Sequence, residues 1–192
     1  LLPHWTWPDR KGKVTPVYCY TDGVEAELFV NGKSQGRIRK NPKERLDRYR
    51  LRWNDVKYEP GEIKVVAYDE RGNKMGEDVR QTAGKAAQLV AQPESNVHKA
   101  DGEDLIYVRV SVKDKQGVPV PTCQDALTFS VSGAARFEAA CNGDATSLES
   151  FRQPKMKLFN GELIVILRPT GEAGKVTLTV KDHRGKLKPA IL

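Results

Sequence analysis

The chain has 192 residues, with 32 Lys and Arg against 25 Asp and Glu, and a formal charge of +7. That length exceeds one small β-sandwich and suits two of about 100 residues each. The longest apolar run, Leu163 to Leu167, is far shorter than the ~20 residues of a membrane-spanning helix, and no stretch repeats apolar residues at helical spacing. A membrane span and a helical bundle are thereby excluded, and the all-β class is expected.

The sequence opens on Leu1-Leu2-Pro3 with neither Met nor a basic leader, and so reads as a piece of something longer. His4-Trp5-Thr6-Trp7-Pro8 follows. In an extended segment Trp5 and Trp7 point the same way. They would then form a sugar-stacking platform or pack on a core or a preceding domain. Strands are expected at Val14–Tyr20, Glu25–Val30, Lys33–Arg39, Arg48–Trp53, Ile63–Asp69 and Asn73–Thr82. Glu25–Val30 alternates apolar Ala26, Leu28 and Val30 with outward residues. Asn31-Gly32 supplies the two positive-φ residues of a tight hairpin. Asp22-Gly23, Pro60-Gly61 and Arg71-Gly72-Asn73 are further turn signals. Trp53 falls on a core position by alternation, and Cys19 reads as a small buried thiol within a strand.

Thr82 to Ala87 is poor in bulky apolar residues and marks a domain junction. The expected domains are 1–84 and 85–192. In the second, strands are expected at Leu105–Lys113, Ala126–Ser132, Arg136–Ala140, Gly161–Leu167, Lys175–Lys181 and Lys186–Leu192. Regular short strands between turns suggest a sandwich in each half.

Before Ala86 there are 18 basic and 13 acidic residues, and from it onward 14 and 12. The excess concentrates between Arg37 and Arg52. An anionic partner is one interpretation; a solvated strand face plus a basic loop is the other. No nucleic-acid module accompanies the charge, so no nucleic-acid partner is expected.

Catalytic signatures are lacking. Sugar hydrolysis needs two carboxylates about 5–5.5 Å or 6.5–9.5 Å apart, and the acidic residues sit in turns or on outer faces. His4, His98 and His183 occupy terminal or loop positions, with no G-x-S-x-G elbow. No C-x-x-C pair or histidine at ligand spacing suggests a metal. Ala100-Asp101-Gly102-Glu103-Asp104 supplies fewer oxygens than calcium requires, and reads as a strand-leading turn in which Asp bonds its own backbone. Asn142-Gly143-Asp144 is interpreted in the same way. Cys123 and Cys141 would bridge if the protein is exported and their Cα atoms lie close enough.

Several segments resemble the non-catalytic β-sandwich domains of family 2 glycoside hydrolases of the β-galactosidase type. His4-Trp5-Thr6-Trp7, Pro16 to Thr21, Val24 to Ser34 and Pro60 to Tyr68 are similar to the sandwich that follows the catalytic barrel. Ala100 to Leu105, Val112 to Pro121 and Asn142 to Phe151 are similar to the C-terminal immunoglobulin-like domain. The resemblance implies two tandem immunoglobulin-like β-sandwich domains. It also implies that the catalytic glutamates lie in a (β/α)₈ barrel of about 250 residues, for which this chain has no room. No catalytic residue is carried over and no cofactor is expected.

The expected role is a non-catalytic accessory region that supports the catalytic barrel, its substrate entrance or oligomerisation. Its partner is the missing barrel of the same polypeptide, and His4, Trp5 and Trp7 form the seam, with both indoles left exposed. Oligomerisation would go through the parent enzyme, and the resemblance implies a periplasmic or secreted bacterial location. The alternatives are a carbohydrate-binding module, acting through Trp5, Trp7 or Arg37–Arg52, and stacked immunoglobulin-like domains of a cell-surface adhesin.

Overall fold

A computed structural model describes residues 3–192. The chain divides into two compact units, the first ending at Thr82 and the second running from Ala83 to Leu192. Among the described residues every strand pairing within a sheet is antiparallel.

The first unit contains β1 (Val17–Cys19), β2 (Glu25–Val30), β3 (Lys33–Arg39), β4 (Leu51–Trp53), β5 (Glu62–Tyr68) and β6 (Lys74–Gln81). Four of these form a sheet in the order β3-β2-β5-β6, while β1 and β4 pair separately. The β2–β3 hairpin turns on Asn31 (φ 49°) and Gly32 (φ 78°), as its sequence demands. Asn31 also anchors the neighbouring turn: its side-chain oxygen accepts from the Glu62 amide at 2.8 Å, and its amide donates to the Pro60 carbonyl at 3.1 Å. Ala26 lies opposite Ala67, Leu28 opposite Val65 and Val30 opposite Ile63. All six are buried and meet Val17, Cys19, Leu51 and Trp53 of the β1–β4 pair in one core.

The second unit contains β7 (Ala86–Pro93), β8 (Ile106–Asp114), β9 (Ala126–Gly133), β10 (Ala135–Cys141), β11 (Lys155–Lys157), β12 (Glu162–Pro169), β13 (Val176–Asp182) and β14 (Ala190–Ile191). One sheet has the order β10-β12-β8-β7 and the other β11-β9-β13-β14. Apart from the short β11 at an edge, this is the A-B-E-D against C-F-G arrangement of an immunoglobulin constant-type sandwich. Val108, Val110 and Val112 from β8, Leu163, Val165 and Leu167 from β12, and Leu178 and Val180 from β13 fill its core.

Three turns share one sequence device. Asp69, Asp114 and Asp182 each stand at a strand end and begin a D-x-x-G run. The Asp69 carboxylate accepts from the Arg71 and Asn73 amides, both at 2.8 Å. That of Asp114 accepts from Gln116 and Val118 at 2.9 and 2.8 Å, and that of Asp182 from Lys186 and Leu187 at 3.0 and 3.1 Å. The fourth residue, Gly72, Gly117 or Gly185, has φ between 65° and 84° and donates its amide to the aspartate carbonyl. Only glycine enters that region without steric cost.

The structure departs from the strand expectations at identifiable places. Arg48–Trp53 was expected to be extended, but only Leu51–Trp53 is a strand. Asn41 opens the preceding segment by accepting the Lys43 amide, and the Glu44 carbonyl takes the amides of both Asp47 and Arg48. The stretch is therefore coiled into turns despite its alternating arginines. Val14–Tyr20 shortens to Val17–Cys19, with Val14 held by an isolated bridge to Lys57. Ala86–Pro93, which includes part of the expected junction, is a full strand along β8. Its small side chains carry no alternation, and its pairing partner supplies the order. Lys155–Lys157 is too short to signal itself, yet Met156 is completely buried.

Candidate functional site

The N-terminal segment of the first unit builds an aromatic hub. Trp5 is 4 % exposed and packs edge-on against Tyr58, with ring centroids 4.9 Å apart. Its indole N–H donates to the Glu59 carbonyl at 3.0 Å. Tyr58 is 1 % exposed, and its hydroxyl sits in a relay. The Trp7 amide donates to Tyr58 Oη at 3.2 Å. Tyr58 Oη lies 3.2 Å from Thr82 Oγ1, which donates to the Trp5 carbonyl at 2.5 Å. Such a chain of hydrogen bonds is mutually polarising. It ties both ends of the unit, residues 5–7 and Thr82, to Tyr58.

The expectation of two exposed, co-facial indoles is corrected. Trp5 belongs to the interior of its own unit, whereas Trp7 is half-buried at the rim and packs at a tilt against His4 with centroids 4.2 Å apart. The parity argument fails because the segment is not a strand. Trp7 instead precedes a short 3₁₀ turn at Pro8–Arg10. His4 accepts the Thr6 amide through Nδ1 at 3.1 Å. Burial lowers its pKa from the usual 6.5, which favours the neutral ring that this bond requires. Tyr58 and Thr82 carry the hub and were not visible as site residues in the sequence. The only available signal was a tyrosine two residues before Pro60-Gly61.

The carboxylates with resolved pKa shifts are held in the charged form rather than raised. A glycosidic acid needs a raised pKa. Each carboxylate that departs from its ordinary value departs downward: Glu25, Asp47, Asp69, Glu77, Asp78, Asp101, Asp114, Glu138 and Asp144. Arginines hold Glu25, Asp47 and Glu138 in the charged form. In the acidic turn, Asp101 accepts the amides of Glu103 and Asp104 at 2.9 and 2.8 Å, and so bonds its own backbone as the sequence suggests. Asp144 likewise accepts from Thr146, and Asn142 from the Asp144 amide.

Nucleophilic chemistry has no better footing. Cys19, Cys123 and Cys141 are all free thiols, so the bridge considered for Cys123 and Cys141 is not formed. Cys123 is buried in the loop before β9 with its thiol 3.9 Å from Asp125, while Cys141 ends β10 opposite Ile164. Burial pushes the Cys19 and Cys123 thiols up, away from the thiolate. The basic segment is partly neutralised: Arg37 and Arg39 both bind Glu25, and Arg52 binds Asp47 through two nitrogens.

With the sandwiches in view, the comparisons with known proteins decide the family. Residues 89–190 match the domain described as glycoside hydrolase family 2 C-terminal domain 5. The chain belongs to glycoside hydrolase family 2. Residues 12–76 match a domain of unknown function, DUF4982.

β-Galactosidase BoGH2A of Bacteroides ovatus is 39 % identical over 193 residues, covering 100 % of this family 2 chain and 22 % of that protein. A putative β-glucuronidase of Formosa agariphila is 29 % identical over 184 residues, covering 90 % and 16 %. Among solved structures, a β-glycosidase from Bacteroides vulgatus superposes with a TM-score of 0.88 at 32 % identity, over 100 % of this chain and 24 % of that one. A family 2 member from Bacteroides cellulosilyticus gives 0.90 at 28 %, over 98 % and 25 %. The chain thus spans about a fifth of the length of the curated relatives it matches.

Proposed function

We propose that this chain is the non-catalytic C-terminal accessory region of a β-galactosidase-like bacterial enzyme, and that it supports the catalytic barrel of the same polypeptide. The observation that carries this reading is the match to BoGH2A, which spans the whole chain and only 22 % of the relative. The downward shift of the perturbed carboxylates agrees with it. Within the region Trp5 acts as an internal anchor. His4 and Trp7, packed together at the rim, are the groups available to a neighbouring barrel. A periplasmic or extracellular location belongs to the same proposal.

The purified 192-residue chain is expected to leave aryl β-galactosides and aryl β-glucuronides intact at any pH between 4 and 8, with phenol release as the readout. Turnover above buffer that survives repurification would end the accessory reading.

A further inference from the structure

The outer side of the β1–β4 pair carries an aromatic and cationic cluster that the support role does not use. Tyr18 on β1 lies opposite Arg52 on β4. Tyr18 and Tyr20 are 43 and 68 % exposed, a large cost in apolar hydration for one small face. The Arg50 guanidinium sits 5.2 Å from the Tyr18 ring centroid and donates to Tyr20 Oη at 3.3 Å. Beside it opens a 230 Å³ pocket lined by Arg39, Arg50, Arg52, Asp47 and Asn54.

The ion pairs sort these cations. Arg39 is engaged by Glu25 and Arg52 by Asp47. Arg50 makes no ion pair within 4 Å among the described residues, although its charge helps hold the nearby Asp47 ionised; its side chain donates to the Leu46 carbonyl, at 3.1 Å, and to Tyr20. One guanidinium outside the close ion pairs, flanked by the Tyr18 and Tyr20 rings, differs from the continuous cationic track that a nucleic acid demands. A guanidinium fork matches a carboxylate in two parallel hydrogen bonds. A phenol ring covers the apolar face of a pyranose while its hydroxyl reaches the sugar oxygens.

We propose that Arg50, Tyr18 and Tyr20 form a binding site for a carboxylate-bearing saccharide, a uronate residue of a glycan, with its carboxylate on Arg50 and its ring on Tyr20. The site is a binding site without catalysis, and it is independent of whether the region also supports a barrel.

Calorimetric titration of the 192-residue chain with an oligogalacturonate tests it, against a neutral galacto-oligosaccharide of equal length, oligoglutamate and a DNA duplex. Binding is expected for the oligogalacturonate alone. Arg50→Gln and Tyr20→Ala should each weaken it about tenfold or more, the scale of one hydrogen bond to a charged group. Lys43→Gln, which removes the same charge from the same exposed segment, should leave it unchanged. Absence of heat with the oligogalacturonate, equal affinity for oligoglutamate or DNA, or an equal loss in Lys43→Gln would overturn the proposal.

Discussion

Replacing Trp5 with alanine will destabilise the first unit by about 3–5 kcal/mol, the usual loss for a large aromatic removed from a core. The indole is 4 % exposed, packs on Tyr58 and donates to Glu59. Its removal leaves a cavity in a core that already draws on two small layers. A domain of this size has only about 5–15 kcal/mol in total, so the fraction lost is large. Trp7→Ala should cost less, about 1–2 kcal/mol, because its ring is half-exposed. Tyr58→Phe keeps the ring but removes the hydroxyl between the Trp7 amide and Thr82, for about 1–2 kcal/mol. All three tryptophans lie before Thr82, so tryptophan emission during urea unfolding reports this unit selectively. Equal losses for Trp5→Ala and Trp7→Ala would contradict the assignment of Trp5 to the interior.

The second large effect belongs to Asp114. It is 2 % exposed, and its carboxylate accepts amides from Gly84 at 2.7 Å, Gln116 at 2.9 Å and Val118 at 2.8 Å. Burial alone would raise its pKa from the usual 3.8, but these donors outweigh burial and hold it lower. Asp114→Asn places an amide donor against one of the backbone donors and removes the charge, at about 2–4 kcal/mol.

The pH dependence follows from the direction of the shift. The folded carboxyl titrates below the unfolded one, so its contribution is complete above the unfolded value near 3.8. It is lost as pH falls through the folded value. The wild-type chain should therefore lose more stability than Asp114→Asn between pH 5 and 2, and the two should converge in acid. Unfolding followed by far-UV circular dichroism measures this. Parallel pH profiles would show that the loop does not depend on the ionised carboxylate.

What could be read in advance was local. The Glu25–Val30 and Lys33–Arg39 strands coincide with the expected ones, because period-two burial and an Asn-Gly turn are written within fifteen consecutive residues. The long valine and leucine strands of the second unit show themselves for the same reason. What could not be read depended on partners distant in sequence. Ala86–Pro93 is a strand because β8 pairs with it. The Arg48–Arg50 stretch alternates like a strand, yet upstream carbonyls and Asn41 fold it into turns. Trp5 and Trp7 have the same parity but different fates, since Tyr58 and Thr82 fix the path of the backbone between them.

The proposed role of these two sandwiches is to support a barrel rather than to carry out chemistry. The most direct measurement is the thermal unfolding of the barrel in the enzyme that carries this chain, compared with a form lacking it. Loss of the chain should lower the barrel's Tm by at least about 2–4 °C, the shift that 1 kcal/mol produces in a domain of that size, and addition of the purified chain should restore part of it. An unchanged barrel Tm, with or without the chain, would contradict the account.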